Sequence, residues 1–94
     1  MPVGYSFEWD PDKDETNRRK HGVSFEEAAT VFGDPLSLNM DDPDHSTAEQ
    51  RYIVVGLSER YRLLLISYVA IEQSTRIISA RQVTRAERKH YEEG

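Results

Sequence analysis

The stretch YRLLLISYV, residues 61–69, is apolar on both faces, with Leu63, Leu65 and Val69 alternating against Leu64, Ile66 and Tyr68. Successive side chains of a strand point to opposite faces, so this one has two apolar rows to bury. It belongs in the middle of a sheet rather than at an edge. That requirement constrains everything around it. Residues 52–57 and 61–69 flank the turn Ser58-Glu59-Arg60 and form a hairpin, and residues 75–83 follow the turn Glu72-Gln73-Ser74 to make a meander. Upstream, Tyr5, Phe7 and Trp9 alternate on a short first strand, and residues 36–40 read as another strand. Residues 41–49, DDPDHSTAE, read as a polar acidic loop.

Three helices complete the pattern. Asp10-Pro11 is a strong helix start, because Asp caps the free N–H groups and Pro fits the first helical position. The helix from Pro11 to His21 carries acids near its positive end and Arg18-Arg19-Lys20-His21 near its negative end, and Gly22 closes it. It has no large apolar residue, so something other than core packing must hold it. Ser24 and Glu27 form a capping box ahead of a second helix, whose Phe25, Ala28, Ala29 and Phe32 make one apolar stripe. Thr84 and Glu87 form another box, opening a helix through Tyr91. The order β-α-α-β-β-β-β-α indicates an α+β fold, a mostly antiparallel sheet with helices packed on one face and the other face partly open.

Composition narrows the function classes. Ninety-four residues make one domain, spanning 1–94, with a small core. No apolar run approaches the ~18 residues of a membrane span, and no secretory signal is expected from the N-terminus MPVGYSFEWD. The chain has no cysteine, which removes disulfides, thiolate zinc sites and Cys nucleophiles and suits a reducing cytoplasm. The net charge of −5 hides an asymmetry: residues 1–50 hold four basic and twelve acidic side chains, a balance of −8, and residues 51–94 hold eight and five, a balance of +3. The basic clusters are residues 18–21 and the string Arg76, Arg81, Arg85, Arg88, Lys89. Either cluster can be solvated surface.

Several chemistries lack their motifs. There is no phosphate-cradling glycine pattern, no GxSxG elbow and no HExxH. Asp41, Asp42, Asp44 and His45 lack the spacing of a calcium loop, so a solvated loop is expected there and no metal site.

Two constellations stand out. At 100° per residue, Lys13, Asn17, Lys20 and His21 share one stripe of the first helix. Ammonium groups, an amide and an imidazole on one face can bind phosphate and move protons. Complementation of the helix dipole accounts for Lys20 and His21 equally well. In RIISARQV, strict alternation puts Thr75, Ile77, Ser79, Arg81 and Val83 on one face. An Arg inside a sheet needs a partner. A phosphate ligand and an ion pair with Glu8 or Glu87 both meet that need.

The runs FEWDPDKDETNRRKHGVSFEEAATVFGDP, RYIVVGLS and RIISARQVTRAERKHYE resemble the BrnT toxins of bacterial type II toxin–antitoxin systems, from Phe7 to Glu92. The resemblance rests on W-D-x-x-K-x-x-x-N-x-x-K-H-G-V-x-F-x-E-A followed by R-I-I-S-A-R. It implies a RelE-like fold and a ribonuclease that arrests translation. It also implies a cognate BrnA antitoxin with a ribbon-helix-helix DNA-binding domain, through which alone DNA would be reached. The positions matching the pattern are Lys13, Asn17, Lys20, His21, Arg76, Ser79, Arg81 and Glu87. For RNA cleavage by the ribose 2′-hydroxyl, no cofactor or metal is expected. Lys20, His21, Arg76 and Arg81 are the expected catalytic groups. Lys13, Asn17, Ser79, Arg85 and Tyr91 are the expected substrate contacts, Tyr91 by stacking on a base. Two other classes compete. A non-catalytic module would bind its partner without arresting translation. A DNA-binding autoregulator is opposed by the net charge and the lack of a basic recognition helix.

Overall fold

In the computed structural model, residues 6–42 and 50–93 are described in full and residues 43–46 by their backbone. The elements are β1 (Ser6–Glu8), α1 (Pro11–His21), α2 (Phe25–Thr30) running into a 3₁₀ turn (Val31–Gly33), β2 (Leu38–Ser46), β3 (Gln50–Leu57), β4 (Leu63–Ile71), β5 (Ser74–Gln82) and α3 (Arg85–Glu93). The sheet order is β1-β5-β4-β3-β2. Thus β4 is the central strand that its two apolar rows demand. Among the described residues, only the β1–β5 pair is parallel.

One face of the sheet carries the core. Val54, Leu64, Ile66, Ile77 and Ala80 pack beneath Val23, Phe25, Ala28 and Val31, all at most 1% exposed. Aromatic rings seal the margin, with Phe7 against Phe32 at 5.1 Å and Trp9 edge-on to Phe25 at 6.2 Å. Tyr5 lies outside the described residues. Gly56 is required here, because a Cβ would come within 2.9 Å of a Val31 methyl.

The polar helix α1 is held by side-chain hydrogen bonds. Asn17, 6% exposed, donates from Nδ2 to the carbonyls of Val23 and Ala80, both at 2.8 Å, and accepts from the Ala80 N–H at 3.2 Å. Strand β1 pairs only with residues 74–76 of β5. Beyond that point the edge of β5 has no strand neighbour among the described residues, and the Asn17 amide bonds to it instead. Asp14 accepts from the Phe25 N–H at 2.8 Å, tying α1 to the start of α2. Asp10 caps the helix, and Gly22 ends it at φ 69°. This is the left-handed conformation that glycine adopts at least cost.

Four expectations need correction. Residues 41–46 are strand, not loop. β3 starts at Gln50 and pairs Ser46, across an irregularity between Asp41 and Ser46. Pairing overrides the low strand propensity of Asp, and an edge strand tolerates Pro43. The fourth strand starts at Leu63, because Tyr61 sits in the turn at φ 63° with its side chain exposed. The Ser24 box is half formed: Ser24 Oγ accepts from the Glu27 N–H, but the Glu27 carboxylate turns inward to Arg62 and Ser58. Finally, β5 does not alternate strictly. Ser67 pairs Ser79 and Tyr68 pairs Ile77, so Ile78 is an extra residue. A bulge of one residue reverses the faces beyond it. Thr75 and Ile77 are buried with the core, whereas Ser79 and Arg81 face the opposite side.

Candidate active site

That opposite face is where chemistry-bearing groups collect. Strand pairing lines up Leu38, Val55, Leu65 and Arg81 across the sheet, and beside them Met40, Ile53, Ser67 and Ser79. Helix α3 borders this face. Ala86, Glu87, His90 and Tyr91 face the sheet across a groove of about 690 Å³. His21, from the end of α1, and Asp42, from β2, also line it. The floor is therefore apolar towards β2 and polar towards β5. Without the Ile78 bulge, Ser79 and Arg81 would point at the helices of the core.

Arg81 is held by three hydrogen bonds. Its Nη1 and Nη2 donate to Oε1 and Oε2 of Glu87, each at 2.9 Å, and Nη1 also donates to the Gln82 carbonyl at 3.2 Å. The bond from Arg81 is the main reason the Glu87 carboxyl is held down at about 2. Burial opposes it, and the Thr84 N–H assists. The same bond raises Arg81 above the usual guanidinium range. Of the two partners open to Arg81 in sequence, Glu87 occupies it here. Glu8 instead lies 3.4 Å from Arg76.

Glu87 also completes its capping box. Its Oε1 accepts from Thr84 N–H at 2.9 Å, and its own N–H donates to Thr84 Oγ1 at 3.2 Å. At the other end of α3, Tyr91 Oη donates to Asp34 Oδ2 at 2.7 Å. That bond, reinforced by burial and the Asp34 charge, pushes the phenol up to about 12. Burial pushes Asp34 up, but N–H donors from Leu57 and Leu36 and the Tyr91 hydroxyl bring it below its ordinary value. The hydroxyl of Tyr91 is thus committed, while its ring lines the groove.

The first-helix stripe is brought together in part. Lys13, Lys20 and His21 border a shallow depression with Ile78 and Ser79, next to the groove, and His21 lines both. Asn17 lies in the same stripe, but its amide is spent on the backbone of Val23 and Ala80. Arg76 stands apart, beside Glu8, Trp9 and Lys13 near β1. Arg85 is exposed at the start of α3.

Two features were not read from the sequence. His90 joins the groove through the spacing Ala86, Glu87, His90, Tyr91, a helical stripe that was legible in principle. The pair of buried Glu27 with half-buried Arg62 was not legible. Glu27 Oε2 accepts from Arg62 Nε at 2.9 Å and from Ser58 Oγ at 2.8 Å. The Arg62 bond, against burial, lowers the Glu27 carboxyl. Its partners lie 31 and 35 residues away, and no local spacing signals them. Among the described residues, no three His, Asp or Glu side chains converge as a metal ion would need. Nor is any helix there long and apolar enough to cross a membrane.

Comparison with known proteins bears on this geometry. The family model described as "Ribonuclease toxin, BrnT, of type II toxin-antitoxin system" matches residues 9–87. A crystal structure of the Brucella abortus ribonuclease toxin BrnT shares the fold, with a TM-score of 0.61 and 19% identity over 86% of this chain and 97% of that one. No curated protein matches. The matched span runs from the strand–helix junction at Trp9 through the Asn17 staple and the bulged strand to Glu87. The chain therefore belongs to the BrnT family of ribonuclease toxins of type II toxin–antitoxin systems.

Proposed function

We propose that this toxin cleaves single-stranded RNA in the groove between β5 and α3 without a metal ion, and that a BrnA-like antitoxin with a ribbon-helix-helix domain neutralises it. The observation that carries the reading is the convergence of His21, Ser79 and Arg81 on one accessible groove, with Lys13 and Lys20 at its margin. In the reaction the ribose 2′-oxygen bonds to the adjacent phosphorus and the bond to the 5′-oxygen breaks. One group takes the 2′-hydroxyl proton and another protonates the leaving oxygen. His21 and Lys20 are assigned to those transfers, and Arg81 to the charge that builds on the phosphorane. Its planar fork matches two phosphate oxygens. Ser79 supplies a hydrogen bond from the groove floor. Lys13, with Arg76 and Arg85, is assigned to the flanking RNA backbone, which suits their exposure. Asn17 is assigned to positioning, since it holds α1, and with it Lys20 and His21, against β5.

The test is cleavage of single-stranded RNA by the purified chain in excess EDTA, together with growth on induced expression with and without the neighbouring small gene. Chelator-resistant cleavage and growth arrest relieved by the neighbour are expected. Cleavage abolished by EDTA and restored by magnesium would refute the metal-free route. A folded chain that binds the neighbour's product and arrests nothing would favour the non-catalytic module.

A further inference from the structure

We propose that Glu87 is a built-in phosphate surrogate: its carboxylate closes the Arg81 fork in the RNA-free protein, and a phosphodiester enters the groove by displacing it. This rests on the RNA-cleaving reading of the groove and adds a regulatory contact to it. A carboxylate and a phosphodiester offer a guanidinium the same two-oxygen face. Arg81 spends both terminal nitrogens on Glu87, at 2.9 Å each, so the two anions compete for the same donors. The contact is within reach of a competitor, because the Arg81 and Glu87 side chains are 38% and 31% exposed.

The surrounding structure allows the exchange. Helix α3 has no buried residue of its own, so its first turn can shift without drawing a side chain out of the core. Its far end stays tied by the Tyr91–Asp34 bond. Glu87 keeps the Thr84 N–H, 2.9 Å from Oε1, after it gives up Arg81, so the helix cap survives. With a phosphodiester on Arg81, the Glu87 charge faces another anion and the two repel. That repulsion drives the side chain and the first turn of α3 away from the strand. The groove would then be closed to weakly held anions and open to an RNA strand that gains contacts along its length.

The experiment measures binding of a single-stranded 2′-O-methyl RNA, which lacks the attacking hydroxyl and cannot be cleaved. Glu87→Gln preserves the capping box and removes the charge. It should bind the probe about 2- to 5-fold more tightly than wild type, the scale of a partly exposed ion pair. The gain should vanish in the Arg81→Ala background, as a double-mutant cycle requires. Unchanged or weaker binding by Glu87→Gln, with wild type binding normally, overturns the surrogate and makes Glu87 a positioning group for Arg81. No binding by either protein overturns the RNA reading along with it. A second readout uses wild type alone. By side-chain NMR, the probe should shift both the Arg81 guanidinium and the Glu87 carboxyl signals. A shift at Arg81 with Glu87 unmoved refutes the displacement even if the variant fails to fold.

Discussion

Replacing Asn17 by Ala removes three hydrogen bonds at once and leaves the Val23 carbonyl and both backbone groups of Ala80 without their partner. Val23 and Ala80 are 0% and 1% exposed, so water cannot substitute without opening the structure. A typical buried hydrogen bond contributes about 1–1.5 kcal/mol net, giving a loss of roughly 3–4 kcal/mol for the three. A domain of this length has about 5–14 kcal/mol in total. With an unfolding entropy of about 0.2 kcal/mol/K, the melting temperature should fall by roughly 15–20 °C. Because α1 has no apolar face to hold it, hydrogen exchange should rise first in Pro11–His21. Asn17→Asp should be no better, since a carboxylate would set an acceptor against the carbonyls of Val23 and Ala80. Thermal melts and exchange read by mass spectrometry provide the check. A fall of under about 5 °C, with RNA cleavage lost, would refute the staple and return Asn17 to the substrate.

Other substitutions separate site from scaffold. Arg81→Ala should lower cleavage by about 10²–10³-fold while costing only about 1 kcal/mol, because its partly exposed pair is screened. Full toxicity in a folded variant would move the phosphorane contact elsewhere. His21→Ala should relieve toxicity at a stability cost of about 0.3–1 kcal/mol, the helix-dipole contribution. A wild-type growth defect would exclude it from proton transfer. Arg62→Ala should destabilise by about 1.5–3 kcal/mol, because it removes the main charged partner of the Glu27 carboxylate, 4% exposed, and leaves it the Ser58 hydroxyl and Arg60 at 3.9 Å. A melt within a few degrees of wild type would contradict this. The Glu87 carboxyl is depressed from 4.5 to about 2. Its ion pair therefore stabilises the fold fully above about pH 4.5, and that stability is lost as pH falls towards 2. The gap in melting temperature between wild type and Glu87→Gln should accordingly shrink as pH falls from 5 towards 2. A constant gap would show that charge is not the source.

Much of the architecture was legible because it is written in local patterns. The two apolar rows of residues 63–69 demanded a central strand. Asp10-Pro11 and Gly22 bounded α1 by cap chemistry, and Thr84–Glu87 opened α3 through a box that both partners complete. The stripe of Phe25, Ala28, Ala29 and Phe32 named the helical half of the core. The family resemblance, from Phe7 to Glu92, was equally a matter of residue order.

What the sequence alone determined was which segments form which elements and which chemical groups are available. The tertiary structure decided which of those groups meet. Ile78 is apolar and sits in an apolar strand, so nothing local marks it as the extra residue that turns Ser79 and Arg81 away from the core. Glu27 reads as half of a capping box, yet an arginine 35 residues away takes its carboxylate. Asn17 reads as a polar site residue on a polar helix, but its amide fills a gap that exists only because β1 ends at Glu8. Residues 41–46 read as loop until β3 supplies their pairing partners. For Glu27 and Asn17 the deciding energy is a hydrogen bond or ion pair to a partner remote in sequence, and for the two strand segments it is the register of pairing with a neighbouring strand. Such contacts have no period for a local pattern to reveal, and only the folded chain brings them together.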